Sequence, residues 1–249
     1  MSGHSKWSTI KRKKGKEDAK RGNLFTKLIK EITVAAREGG GDLTSNPRLR
    51  TAVATAKSAN MPSDNIERAI KKGTGELPGQ VFEQVNYEGY GPGGAAILVE
   101  CLTDNRNRAV SEIRHILSKG GGRMADVGSV SWVFDKRGLV VVDETGVESE
   151  DSLMEVALSA GADDLTNDDG TFEITSAPEN LEDLKDALTE AGFEIQAVEM
   201  TMVPKTTVKL EGKEAVQMLK LMERLEESDE VQNVFANFDI DAKIMEEID

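Results

Sequence analysis

Between residues 138 and 203 two kinds of pattern alternate so regularly that few folds can accept them. Runs rich in apolar and β-branched residues at 138–143, 163–168, 171–176 and 194–202 read as strands, and 150–160 and 179–191 carry helical spacing. Asp169-Gly170 separates two of the strands by two residues, a tight hairpin signal, because glycine accepts the positive φ that such turns require. The resulting order, β-α-β-β-α-β, is that of the ferredoxin-like fold. This stretch carries 18 Asp/Glu and a single Lys.

The other end of the chain has the opposite charge. The first 75 residues hold 17 Lys/Arg against 7 Asp/Glu, and the remaining 174 hold 14 against 38, so a net charge of −14 conceals a basic head on an acidic body. Such a distribution restricts a polyanion to one part of the surface. Residues 1–22 contain Lys6, Lys11, Arg12, Lys13, Lys14, Lys16, Lys20 and Arg21 among few apolar residues, the composition of a mobile arm. Phe25, Leu28, Ile29, Ile32 and Ala36 then recur at helical spacing until Gly39-Gly40-Gly41. If this helix reaches back to Lys16, then Lys16, Lys20, Lys27 and Lys30 share the face opposite its apolar stripe. Asn46 is a good N-cap and Pro47 a good first residue for a second helix, with Leu49, Val53 and Ala56 as its apolar line. A third helix follows Pro62, capped by Ser63 or Asp64 and closed by Gly73. Residues 1–75 are thus expected to form a basic arm and a three-helix bundle, with a linker at 74–79.

Past the linker the period changes. Residues 81–88 and 95–102 read as strands about a Gly-rich turn, 105–119 as a helix stopped by Gly120-Gly121-Gly122, and 129–134 as a strand. A helix at 212–227 and a strand at 231–238 lie in the tail. The piece 80–135 is poor in strands and needs partners, which the tail can supply. The expectation is an α+β protein of three domains: the N-terminal bundle, a discontinuous α/β middle domain (80–135 plus 206–249), and the acidic ferredoxin-like unit (138–203) inserted into it.

Motifs for chemistry are sparse. Gly89-Tyr90-Gly91-Pro92-Gly93-Gly94 matches GxGxxG, but a dinucleotide site needs that motif between a strand and a helix, and here it lies between two strands and contains Pro92. It reads as a hairpin. Asn167-Asp168-Asp169-Gly170 resembles part of a calcium loop, yet Leu165 and Ser176 would occupy the anchoring carboxylate positions. His4 and His115 have no Cys or His cluster near them, and Ser111 with His115 lacks a third group to orient the pair. Cys101 stands in an apolar strand as a small core residue. No metal, cofactor or catalytic residue is expected, and the chain is read as a non-enzyme. A single cysteine excludes an intrachain disulfide and suits a reducing compartment. No apolar run approaches the ~20 residues of a membrane helix, and the N-terminus lacks a signal peptide's apolar core. A cytoplasmic monomer without membrane contact is expected.

The basic residues carry the functional reading. Beyond the arm, Lys27, Lys30, Arg48, Arg50 and Lys57 continue the positive charge through the helices, with Arg68, Lys71 and Lys72 adding to it. A second island at 104–123 holds Arg106, Arg108, Arg114, Lys119 and Arg123. Trp7 lies within the arm and could stack on a base or anchor in the bundle. Two cationic islands on a polyacidic body favour nucleic-acid binding.

Several of these segments resemble one family. Gly3-His4-Ser5-Lys6-Trp7-Ser8-Thr9-Ile10-Lys11, Asp18-Ala19-Lys20-Arg21-Gly22, Asn60-Met61-Pro62, Asn65-Ile66-Glu67-Arg68-Ala69-Ile70-Lys71-Lys72-Gly73, Tyr87-Glu88-Gly89-Tyr90-Gly91-Pro92-Gly93-Gly94 and Thr103-Asp104-Asn105-Arg106-Asn107-Arg108 are similar, in order, to YebC/PmpR-type proteins. The resemblance implies a three-domain α+β structure and a cytoplasmic DNA-binding transcriptional regulator. It also implies an alternative, since the family includes a mitochondrial translational activator and bacterial members linked to the ribosome and to proline-rich stalling, for which rRNA or tRNA is the partner. One departure is visible: where the family tends to have Gly-Gly-Asn-Leu-Gly, this chain reads Gly121-Gly122-Arg123-Met124-Ala125, which places a positive-φ turn at the last position in doubt. The loop at 39–45 is long for a helix-turn-helix, which keeps the ribosomal alternative open. A third reading is a protein-interaction scaffold, with the acidic insert facing solvent or a protein partner.

Overall fold

The computed structural model describes residues 18–168, 170–241 and 244. Three helices come first: α1 (Asp18–Gly39), α2 (Pro47–Ser58) and α3 (Ser63–Thr74). Gly40, at φ +83°, ends α1. Asn46 caps α2 by accepting from the Leu49 N–H at 3.0 Å, and its amide donates to the Ala35 and Gly40 carbonyls at 2.8 Å each, so one buried side chain ties the end of α1 to the start of α2. Leu28, Ile32, Leu49, Val53, Ile66 and Ala69 form the core between the three helices. The third helix departs from expectation at both ends. Pro62 occupies its N-cap position without a side-chain cap, and Gly75, at φ +84°, terminates it. Gly73 is not the terminator: it is buried within α3, where a Cβ would lie 2.4 Å from the Thr33 carbonyl and 2.7 Å from the Ala36 Cβ. Its role is to let α1 and α3 approach closely.

The first sheet contains β1 (Glu83–Tyr90), β2 (Ala96–Thr103), β3 (Arg123–Met124) and β9 (Val231–Ala236) in the order β3-β1-β2-β9, antiparallel throughout. The GxGxxG segment is the β1–β2 connection, a short 3-10 turn over Pro92–Gly94. Helices α4 (Arg106–Lys119) and α7 (Gly212–Glu227) cover one face, burying Ile97, Val99, Cys101, Ile113, Leu117 and Met218 together. The tail strand expected at 231–238 divides at Asn237, whose Oδ1 accepts from the Ala96 N–H at 2.7 Å and whose amide reaches the Thr206 carbonyl at 3.0 Å. Beyond it β10 (Phe238–Asp239) pairs in parallel with β8 (Val208–Lys209).

The second sheet contains β4 (Phe134–Asp143), β5 (Ala162–Asp168), β6 (Thr171–Ser176) and β7 (Ile195–Pro204) in the order β5-β6-β4-β7, with α5 (Glu150–Ser159) and α6 (Leu181–Glu190) against one face. That is the ferredoxin-like strand order. Asp168 pairs with Thr171, so β5 and β6 are joined by two residues, with Gly170 at φ +79°. Residues 129–134 do not form the expected strand. Ser131–Val133 is a 3-10 turn, and β4 starts at Phe134 and runs unbroken for 10 residues. Its pairing with β7 extends to Phe134↔Pro204. The lower ends of these two strands pack on the first sheet, where Val130, Val133 and Phe134 cover Ala96, Leu98 and Phe235.

Two outcomes follow from this packing. Gly73→Ala adds a residue that favours helix by about 1 kcal/mol, yet the overpacking against α1 costs about 1–3 kcal/mol; urea denaturation should show a lower midpoint at unchanged slope. Replacing 136–203 by a Gly-Ser link between Asp135 and Pro204 should leave the rest folded, since Phe134 pairs with Pro204 and paired strand residues lie within ~5.5 Å. A cooperative melt of the shortened protein would show this, and loss of the first sheet's amide dispersion would refute it.

Candidate nucleic-acid interface

Residues Lys6, Trp7, Lys11, Arg12, Lys13, Lys14 and Lys16 lie outside the described residues. Lys20 and Arg21 lie on the first turns of α1, and their side chains are likewise outside what is described. The remaining candidates divide into those already engaged and those open to a ligand.

Lys27 and Lys30, placed by the sequence on the face opposite the apolar stripe of α1, have partners within the fold. The last carbonyls of α7 and of the turn after it have no intrahelical donors and sit at the negative end of the helix dipole. Lys27 donates to the Glu226 carbonyl and Asn23 to that of Glu227. Lys30 donates to the Asp229 and Leu102 carbonyls at 2.6 and 3.1 Å. Its ammonium also lies 3.9 Å from the Glu230 carboxylate and 5.5 Å from the centre of the Phe82 ring. Arg37 donates to the Phe82 carbonyl. These α1 side chains clamp the helical bundle to the sheet, and the buried Lys30 cannot reach a phosphate without leaving its partners.

Other arginines are also engaged. Arg48 bonds Glu31 at 2.7 Å and Glu38 at 2.6 Å, and its guanidinium is held above its ordinary range chiefly by the Glu31 bond. Arg50 donates to the Leu43 carbonyl at 3.1 Å. Arg106 pairs with Glu83, and Arg108 bridges Asp104 and Glu230. Lys57 and Arg114 are exposed and form no ion pair with a described residue. Arg68, Lys71 and Lys72 on α3 are in the same state, as is Lys119 at the end of α4. The charge count includes these four, but their standing as open contacts does not show in a count. The i, i+3, i+4 spacing of Arg68, Lys71 and Lys72 was the available signal, since it places all three on one helix face.

Arg123 has a different partner. Its guanidinium lies over the Tyr90 ring, 4.8 Å from the centroid. The neighbouring loop is organised by Glu88, a buried carboxylate that accepts from the backbone N–H groups of Gly128 (2.7 Å), Val130 (2.6 Å) and Ser131 (3.0 Å). Burial alone pushes this carboxyl up. The bonds from Val130, Gly128 and Ser131 more than reverse that and leave it below the ordinary glutamate range. Gly121, at φ +82°, makes the preceding turn; Ala125 has an ordinary negative φ and donates to the Glu88 carbonyl at 2.8 Å, so no glycine is needed there.

Among the described residues, Cys101, Ser111 and His115 are not brought together for covalent chemistry. Cys101 is buried, and its thiol is pushed up to about 12 by burial first and by the Glu230 carboxylate second. Ser111 donates to the Asn107 carbonyl at 2.7 Å within its own helix rather than to His115. Among the described residues no three His, Cys, Asp or Glu side chains are grouped to hold a metal ion, and no helix is long and apolar enough to cross a membrane.

Comparison with known proteins covers nearly the whole chain. Residues 5–76 match the model of the TACO1/YebC protein N-terminal domain, and 82–238 that of the TACO1/YebC second and third domain. A probable transcriptional regulatory protein from Geobacter sulfurreducens is 59% identical over 100% of both chains. One of the same name from Pelotomaculum thermopropionicum is 56% identical over 97% of this chain and 100% of its own. The crystal structure of a conserved hypothetical protein from Aquifex aeolicus superposes with a TM-score of 0.82 at 48% identity, over 90% of this chain and 92% of that one.

Glu88→Gln tests the loop anchor. Loss of the charge should weaken three charge-assisted bonds and lower stability at neutral pH by about 1–3 kcal/mol. Because the folded carboxyl is held below the ordinary glutamate range, its contribution is present above that range and is lost as pH falls through the lower folded value. The gap between wild type and variant in urea melts should therefore be full at pH 7 and close in acid.

Proposed function

The chain belongs to the TACO1/YebC family, and from that membership we propose that it is a non-enzymatic regulatory protein that acts by gripping a nucleic acid in the cytoplasm. The name borne by its bacterial relatives, probable transcriptional regulatory protein, supports the regulatory role. The observation that carries the binding reading is the division among the cations: most described arginines of the two islands are tied to carboxylates or carbonyls, whereas Arg68, Lys71 and Lys72 on α3 and Arg114 and Lys119 on α4 stand open. Together with Lys57 and the arm residues Lys6, Lys11, Arg12, Lys13, Lys14 and Lys16, they are the groups we assign to phosphates. The acidic second sheet and its helices repel a polyanion and face solvent or a protein partner.

Duplex DNA is one target that the helical bundle supports. Helices α2 and α3 are joined by only four residues, 59–62, with Asn60 at φ +58°, a turn as short as that of a helix-turn-helix. A second reading, rRNA or tRNA on the ribosome, is favoured by the polarity of α3. Recognition helices read base edges with their N-terminal residues, and here Asp64 and Glu67 stand there while the cations lie toward the C-terminal end. That arrangement suits contact with phosphates more than reading of sequence.

Sequencing the nucleic acid crosslinked to the protein in cells separates the targets: promoter duplexes support the first reading and rRNA or tRNA the second. For the contacts, Arg68→Ala, Lys71→Ala and Lys72→Ala combined should weaken binding of the recovered ligand. The log–log salt slope should become shallower by about 0.7–0.9 per lost contact. The four-residue arm variant (Lys11, Arg12, Lys13 and Lys14 to Ala) should do the same. Unchanged slopes in both variants would overturn the phosphate assignment.

A further inference from the structure

Trp132 is exposed by 66%, an unusual setting for an indole, and its place on the surface is fixed. Its Nε1–H donates to the Ser129 carbonyl at 2.9 Å. The Tyr90 hydroxyl donates to that same oxygen at 3.3 Å, and Arg123 lies over the Tyr90 ring. One carbonyl thus gathers two aromatic side chains, and a guanidinium covers one of them. The loop presenting that carbonyl is held by the three N–H bonds to Glu88, and the Lys205 ammonium donates to the Trp132 carbonyl at 3.1 Å. The indole N–H is engaged while most of the residue stays open to solvent.

From this arrangement we propose that Trp132, with the adjoining Arg123–Tyr90 stack, is a platform on which an unpaired base of a single-stranded polynucleotide stacks. Aromatic side chains held rigidly beside cations are the means by which proteins grip single strands, because every base offers a π-face and the flanking phosphates need positive charge. Arg123 supplies that charge without a carboxylate partner among the described residues, and exposed Lys136 follows on β4. A protein partner fits less well. A stable interface needs roughly 800 Å² per side with an apolar centre, and the loop adds only Val127 to the exposed apolar surface, beside exposed Asp126.

The proposal rests on the nucleic-acid reading above and adds a second site to it, one that reads bases rather than phosphates. The test uses full-length protein labelled with 5-fluorotryptophan, whose two ¹⁹F signals are assigned by the loss of one in Trp132→Phe. A 12-residue oligouridylate should shift and broaden the Trp132 signal, and a duplex of the same length should not. Trp132→Ala should weaken oligouridylate binding about 5- to 100-fold, as expected for one stacked base. Trp132→Phe should restore most of it, and the salt slope should stay as in wild type because no phosphate contact is lost. If wild-type protein binds the oligonucleotide while the Trp132 signal is unmoved and Trp132→Ala binds equally, the platform is overturned and the nucleic-acid reading survives. If Trp132→Ala instead loses a co-purifying protein, the site is a protein contact and the proposal also fails. If wild-type protein binds no polynucleotide, both readings fall together.

Discussion

Strand β2 is buried from both sides, and the rest of the molecule is arranged around that fact. Its odd-numbered residues, Ile97, Val99 and Cys101, meet α4 and α7. Its even-numbered residues face the other way, where no single element covers them. Ala96 and Leu98 lie under the 130–134 segment that leads into the acidic sheet, and Leu102 lies under Val34 of α1 and Phe82. One face of one strand therefore seats both flanking units, at opposite ends. A strand covered on both faces is expected to lack the alternation of a half-exposed one, and the run Ala-Ile-Leu-Val-Glu-Cys-Leu fits that rule. Its one polar interruption, Glu100, falls between the two covered patches, where it accepts from the Asn233 amide at 3.0 Å.

The contact at Leu102 also shows why charge alone does not separate cations engaged in the fold from those left open. A lysine on an amphipathic helix counts as surface charge in a sequence, but Lys27 and Lys30 stand opposite the open end of α7, where bare carbonyls need donors. The Leu102 carbonyl that Lys30 also meets is buried, and a buried carbonyl left unpaired costs about 1–3 kcal/mol. The bundle's cations are thus partly structural, and among the described residues Lys57 on α2 and Arg68, Lys71 and Lys72 on α3 keep their charge available. The partner carbonyls lie some 200 residues away, so no local pattern in the sequence could have revealed the pairing.

Local signals were legible where local physics decides. Asn46-Pro47, the triple glycine after α1, the two-residue turn before Thr171 and the six-element rhythm between 138 and 203 each carry their own conformational cause. The sequence was misleading where a distant group decides. Val130-Ser131-Trp132-Val133-Phe134 alternates like a strand, yet the Val130 and Ser131 N–H groups that a ladder would use are taken by Glu88, over 40 residues earlier. That capture turns the segment into a 3-10 turn and leaves Trp132 outside the sheet. Gly73 resembles a helix terminator because its reason for being glycine, the Thr33 carbonyl, lies on another helix.

The acidic unit is joined to the body by two paired strands rather than by linkers. Strands β4 and β7 cross the junction without a break, each 10 residues long, and their lower ends are already bonded and packed before the unit begins. A single flexible tether would let the unit sweep out a sphere, but a hydrogen-bonded ribbon twists and resists bending. Outside the unit this ribbon is Phe134–Arg137 paired with Thr201–Pro204, ~13 Å at about 3.3 Å per residue. The acidic helices are then held at a set bearing from the first sheet, and through it from the basic bundle.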